Sequence, residues 1–300
     1  MPTPMPEHVP VLLSAVLEGL HLQPNDLVID ATLGGGGHTA AMLDIVAPNG
    51  KVLGIEADTR TLQKTSQQLA SYGSRFIAAH GNFRDLRRIA TTNGIGAVDA
   101  ILFDLGLSSI ALGDPARGFS FQHDGPLDMR FDAETQTVTA ADIVNRYSTT
   151  QLSELFRAYG DEPVADRIAQ HLVATRTSTP FTSTAQLAEA IETIKHRRGR
   201  IHPATQVFQA LRIAVNEEYS VIEEALPQAL ELLKDGGRLA VITFHSGEDR
   251  LVKYWMKKMA VEEKVHLDNK HVIVAPRAEQ VANPRSRSAK LRVLTKLTNK

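Results

Sequence analysis

Residues 30–43 read DATLGGGGHTAAML. An apolar run over residues 27–31 leads into four consecutive glycines, and a helix-like stretch over 39–46 follows. Strand, glycine-rich turn and helix in that order open a βαβ unit. In an open parallel sheet, ligands sit over the carboxyl ends of the strands, and glycines at the first turn let a ligand approach the backbone. The loop is not a phosphate P-loop, because Gly37 is followed by His38 and Thr39 where Lys and Ser/Thr are required. A dinucleotide fingerprint is incomplete as well: Gly34 and Gly36 fit, but Thr39 occupies the place of the third glycine.

Working outward, apolar runs over 51–56, 75–79 and 98–105 alternate with amphipathic stretches over 62–72 and 83–91. The run at 98–105, VDAILFDL, is apolar almost throughout its centre, as expected of a strand covered on both faces. The pattern then changes. Residues 108–146 are rich in Gly, Pro, Asp and Ser, and helical periodicity dominates from 139 to about 211. RLAVITF at 238–244 restores strand character after a DGG turn, a helix is expected over 247–259, and β-like runs follow at 270–275 and 290–297. The fold class expected is α/β: a Rossmann-like sheet domain formed by residues 1–113 and 208–300, interrupted by a mostly helical insertion over 114–207.

Composition narrows the function. Hydrophobic residues at 43% and charged residues at 22% are those of a globular protein, and no apolar run reaches the roughly 20 residues of a membrane span. The absence of cysteine excludes disulfides, thiolate metal sites and a cysteine nucleophile. Histidines are scattered without ligand spacing, so no metal site is expected. The first ten residues lack a basic segment followed by an apolar one, and a cytoplasmic location with no membrane partner is expected. Net charge is −1, so a nucleic-acid partner would have to be held by local clusters. KHRRGRIH supplies Lys195, Arg197, Arg198 and Arg200, and the tail supplies Arg285, Arg287 and Arg292.

Acids recur at the strand ends. Asp30 underlies the glycine loop, Glu56 closes the second strand where a ribose would be met, and Asp104 closes the fourth. Phe83 follows the third strand, where an adenine could pack. Three carboxylates around one site repel a pyrophosphate and suit a cation. The set fits S-adenosylmethionine, which carries an adenosine, an amine and a sulfonium and no phosphate.

Seven blocks in order then carry a family resemblance: DATLGGGGHT, FDLGLSS, RGFSF, GPLDMRFD, HPATQVFQALRIAVNEE, GGRLAVITFHSGEDR and NPRSRSAKLR. With them the chain resembles the bacterial small-subunit ribosomal RNA cytidine-N(4)-methyltransferase family (RsmH, formerly MraW) over nearly its whole length. The resemblance implies methyl transfer from S-adenosylmethionine to the exocyclic amine of a decoding-centre cytidine in 16S rRNA. It implies as partner an assembled or nearly assembled small ribosomal subunit, and as RNA-reading element the helical insertion. It places the cofactor on Gly36, Gly37, His38, Glu56, Phe83 and Asp104, to which the G-x-G reading adds Gly34. The chain departs from the family pattern at Glu56, where Asp is usual, at Ala111, where a Gln usually helps to bind cofactor, and at Gly247, where Leu is usual.

Chemistry assigns further roles. A cytosine amine must be turned so that its lone pair faces the methyl, and Asp104, or a carbonyl of residues 105–109, is the acceptor expected to impose this. Phosphates are expected to meet Arg197, Arg198, Arg200, Arg285, Arg287 and Arg292. In RGFSF, Arg117 and Phe119 are expected at the substrate, Phe119 as a stacking surface, with Phe119 and Phe121 as loop anchors the competing reading. Ser246 with Asp249 reads as a helix N-cap and its acid. A nicotinamide-dependent dehydrogenase would explain the glycines and Glu56 but not Asp104. A methyltransferase acting on another nucleic acid and a non-catalytic RNA-binding assembly factor are the remaining alternatives.

Overall fold

The computed structural model describes residues 10–107, 109–196 and 202–298. The chain divides into two compact units, one formed by Met1–Ser108 with Tyr219–Lys300 and the other by Ser109–Glu218.

The first unit is built on an eight-stranded sheet of β1 (Leu27–Asp30), β2 (Lys51–Glu56), β3 (Phe76–His80), β4 (Val98–Asp104), β5 (Leu233–Thr243), β6 (Val265–Leu267), β7 (Ile273–Val274) and β8 (Lys290–Lys296). The order is β3-β2-β1-β4-β5-β8-β6, with β7 paired to β8. Strands β1 to β5 run parallel, and β8 runs antiparallel to β5, β6 and β7. Successive residues point to opposite faces of a strand. In β4, Ile101 and Phe103 enter one core cluster with Ile29, Leu53 and Val241, while Ala100 and Leu102 enter the other with Val28, Val52 and Ile242. Both faces are buried, which is why these strands read as unbroken apolar runs.

In chain order the helices are α1 (Leu13–Leu20), α2 (Gly37–Ile45), α3 (Thr59–Gln68), α4 (Leu86–Thr92), α5 (Ser109–Gly113), α6 (Ala140–Arg146), α7 (Thr149–Gly160), α8 (Ala165–Arg176), α9 (Thr184–Ile194), α10 (Thr205–Asn216), α11 (Glu218–Leu232), α12 (Ser246–Val261) and α13 (Arg277–Ala282). Helices α5 to α10 form the second unit. Capping boxes at Thr139, Ser148 and Ser183 start α6, α7 and α9, each pairing two backbone donors that would otherwise be unpaired. Leu152, Phe156, Ile168, Leu172, Leu187, Ile191 and Leu211 are buried within it.

Three details differ from the sequence reading. The units divide after Ser108 and after Glu218 rather than at 113 and 207; a boundary at 207 would cut α10, which ends at Glu217 with a left-handed φ of 50°. The eight-residue α1 and the three-residue β6 are not among the elements expected from sequence, α1 although Leu13, Val16, Leu17 and Leu20 recur at helical spacing. The expected strand at 270–275 contracts to Ile273–Val274. No helix among the described residues is long and apolar enough to cross a membrane.

Candidate active site

Strand register brings the three expected acids together. Asp30 pairs across to Leu102 two residues before Asp104, and to Gly54 two residues before Glu56. All three acids therefore lie at the carboxyl ends of the adjacent strands β2, β1 and β4. Asp30 is buried; it accepts from the Thr39 hydroxyl at 2.7 Å and the Thr32 N–H at 3.2 Å. Burial holds its carboxyl above the ordinary range, against the pull of His38 and of these hydrogen bonds. Glu56 accepts from the Gly34 N–H through Oε2 and from the Asp58 N–H through Oε1, both at 3.0 Å. Desolvation raises it to about 7, with the amide hydrogen bonds opposing.

The glycines of the loop divide their duties. Gly34 and Gly36 take left-handed φ of 49° and 76°, which glycine adopts without strain. A Cβ on Gly36 would lie 2.7 Å from Thr65 Cγ2, and one on Gly37 2.4 Å from Pro10 Cγ. At Gly36 and Gly37 the missing side chains thus admit the protein's own α3 and N-terminal segment. The Gly34 amide is the loop donor turned to an acid.

Asp104 is the distinctive residue of the site. Its N–H donates to Thr32 Oγ1 at 2.6 Å, which ties the ends of β1 and β4. Its Oδ2 lies 3.7 Å from His38 Nδ1, and the other ring nitrogen of buried His38 meets the Val11 carbonyl at 3.0 Å. Its Oδ1 is buried with no hydrogen-bond partner among the described residues. Desolvation raises Asp104 to about 6; His38 and Arg285 oppose the shift, and Asp30 and Glu248 add to it. A buried acceptor left unpaired is costly, and an N–H or cation seated against it removes that cost. The donor set fits a cationic adenosine-bearing ligand: an unpaired carboxylate oxygen, a second carboxylate over the glycine loop, and a half-buried aromatic beside them. That aromatic, Phe83, meets Phe103 edge-to-face at 5.4 Å.

Several expected substrate residues are engaged within their own unit. Arg285 donates to the Leu107 carbonyl at 2.5 Å, and burial lowers its pKa while Asp104 opposes. It braces the loop after β4 and stands in the field of Asp104, a role that a tail arginine does not reveal in sequence. Arg292 pairs with Asp249 at 2.8 Å, whereas Arg287 is exposed. Arg117 donates to the carbonyls of Arg130 and Phe131 at 2.9 and 3.0 Å, and Phe119 is buried against Phe131. Both anchor their loop; the expected stacking surface is withdrawn into the core. Asp128 and Arg130 form a bidentate pair. Lys195 pairs with the buried carboxylate of Glu162 at 2.6 Å. Arg197, Arg198 and Arg200 lie outside the described residues.

The cap of α12 is shifted by one residue from the sequence reading. His245 is the N-cap and Glu248 its acid, accepting from the Phe244 and His245 N–H groups. Asp249 is instead held below the ordinary carboxylate range: burial raises it, but Arg292 and Lys290 outweigh that. Gly247 is buried, and a Cβ there would fall 1.8 Å from the Tyr219 hydroxyl oxygen. The tyrosine fills the space of a side chain at 247, so the glycine fits this helix start rather than loosening it. Gly247→Leu is expected to destabilise the protein by about 2 kcal/mol through overpacking, with recovery when Tyr219→Ala is added. Urea denaturation of the two variants checks this; a double variant no more stable than Gly247→Leu alone contradicts it.

The MraW methylase family model matches residues 5–297. The small-subunit ribosomal RNA methyltransferase H of Thermomicrobium roseum is 49% identical, over 97% of this chain and 94% of that protein. The protein of the same name from Syntrophotalea carbinolica is 44% identical, over 97% and 98%. Among solved structures, Aeropyrum pernix fibrillarin with natively bound S-adenosyl-L-methionine aligns with a TM-score of 0.42 at 13% identity, over 94% of this chain and 73% of that one.

Proposed function

The chain belongs to the MraW methylase family, and from that premise we propose that Asp104 is the centre of a site methylating the N(4) amine of a decoding-centre cytidine in 16S rRNA. The protein is an S-adenosylmethionine-dependent ribosomal RNA methyltransferase. The observation that carries the assignment of the site is the buried, unpartnered Oδ1 of Asp104 at the carboxyl end of β4. The small ribosomal subunit in the bacterial cytoplasm is the partner, and the helical unit is the element that reads the RNA.

S-adenosylmethionine, when bound, supplies an electrophilic methyl on a positively charged sulfur. Glu56 would accept from the ribose hydroxyls and Phe83 would pack on the adenine, while Gly34, Gly36, Gly37 and His38 would shape the loop beneath the cofactor, Gly36 and Gly37 by packing on α3 and the N-terminal segment. Asp104 accepts one N–H of the cytosine amine and turns its lone pair toward the methyl, converting a poorly nucleophilic nitrogen into a positioned one. The nitrogen becomes acidic only as its new bond forms, and the Asp104 carboxylate or a water then takes the proton. The Thr32 hydroxyl oxygen holds the backbone N–H of Asp104, and Arg285 braces the loop that follows through the Leu107 carbonyl. The target base reaches the strand ends only if it is unpaired or flipped out.

The assignment is tested by nucleoside mass spectrometry of 16S rRNA from cells lacking the protein, complemented with wild type or Asp104→Ala. N(4)-methylcytidine restored by the wild type alone supports it; equal restoration by both overturns it.

The raised carboxyls give a pH dependence. Cation binding needs ionised Asp104, raised to about 6, and the ribose contacts need ionised Glu56, raised to about 7. Cofactor affinity is expected to rise with pH through this window, by at most about tenfold per unit for each group, and to level off above it. Calorimetric titration across the window checks this, and a flat profile contradicts it. The free protein behaves oppositely. Glu56 is raised from an ordinary 4.5, so its contribution to stability is full below 4.5 and is lost as pH rises through about 7.

A further inference from the structure

Away from the strand-end site, α12, the segment between β6 and β7, and β8 enclose a pocket of about 260 Å³. Its polar lining is Lys253, Lys257, Asn269, Lys270, His271 and Arg292, over an apolar floor that includes Met256 and Val293. Arg292 is neutralised by Asp249. The three lysines have no ion-pair or hydrogen-bond partner among the described residues. The neighbouring acids are committed: Asp249 to Lys290 and Arg292, Asp268 to Arg238 and Thr295. Asn269 Oδ1 accepts from the Val293 N–H, which leaves its amide NH₂ as a donor. In a chain of net charge −1 this is a local concentration of unpaired positive charge. Lys253 and Lys257 stand one helical turn apart and repel each other, a repulsion that an anion between them removes.

A second observation separates RNA from a free anion. Tyr254 on α12 is 64% exposed, and its place three residues before Lys257 puts the two side by side on the helix. An exposed aromatic beside cations is the pairing that holds a nucleotide, with the base stacked and the phosphate neutralised. We propose that this pocket seats a backbone phosphate of the ribosomal RNA substrate, and that Tyr254 stacks on an unpaired base next to it. The inference rests on the reading of ribosomal RNA as substrate. It adds Lys253, Lys257 and Lys270 to Arg292, which sequence already placed at a phosphate.

The test is fluorescence anisotropy of the full chain with a labelled small-subunit rRNA fragment over a range of salt, a readout independent of methyl transfer. Neutralising Lys253, Lys257 and Lys270 together to alanine is expected to raise Kd roughly tenfold and to reduce the log Kd against log salt slope by about 0.7, the release that goes with one phosphate. Tyr254→Ala is expected to weaken binding several-fold with the slope unchanged. The triple arginine variant keeps the charge and the affinity, which separates charge loss from misfolding. Lys258→Ala with Lys264→Ala, at lysines already paired with Glu262, is the control. A triple alanine variant indistinguishable from this control overturns the proposal. Loss of inorganic phosphate binding with RNA affinity intact overturns it in favour of a free-anion site. Wild type that binds the RNA without methylating it would count against the proposed reaction while leaving the pocket's result readable.

Discussion

Asp104→Ala is expected to lower kcat/KM for methyl transfer about a thousandfold while leaving the fold at least as stable. Two interactions are lost at once: the charge facing the cationic cofactor and the acceptor that orients the amine. Charge-assisted hydrogen bonds contribute roughly 1.5–3 kcal/mol each, and two of them give that magnitude. Stability runs the other way, because the wild-type carboxylate is desolvated and its Oδ1 is unpaired. Removing an uncompensated buried acceptor costs the fold little and can stabilise it. Kinetics together with thermal melting check both halves; a variant that loses activity only because it unfolds contradicts the account. Asp104→Asn separates the two duties, since the amide keeps an acceptor oxygen but not the charge.

Glu56→Ala is expected to weaken cofactor binding about a hundredfold, the loss of two hydrogen bonds to a carboxylate. It also frees the amides of Gly34 and Asp58, so the loop loses its brace. Glu56→Asp keeps the charge in the form usual in the family that the sequence resembles, and is expected to stay within about fivefold of wild type. Calorimetric titration of S-adenosylmethionine measures all three proteins. Equal affinity of Glu56→Ala and wild type would remove Glu56 from the site.

The sheet and its acids were legible because parallel strands buried on both faces must be apolar throughout. An acid at the end of such a run stands out, as at Asp30, Glu56 and Asp104. The glycine loop was legible as a turn, but the packing of Gly36 on Thr65 and of Gly37 on Pro10 was not, since nothing local encodes contacts made across the chain. Charge clusters were the weakest guide. Arg285 reaches Leu107, 178 residues away, and Arg292 meets Asp249, 43 residues away, so basic residues in a row said nothing of the partners that engage them. The lysines of the α12 pocket are illegible in sequence for the same reason: they are scattered between 253 and 270 and converge only in the fold.

The most direct test of the central claim is transfer of labelled methyl from S-adenosylmethionine to small ribosomal subunits from cells lacking the protein, with wild type and Asp104→Ala side by side and the product nucleoside identified by mass spectrometry. Label is expected on the cytidine N(4) amine with the wild type, and about a thousandfold slower labelling with the variant. Label on another nucleoside, or equal rates for the two proteins, would contradict it.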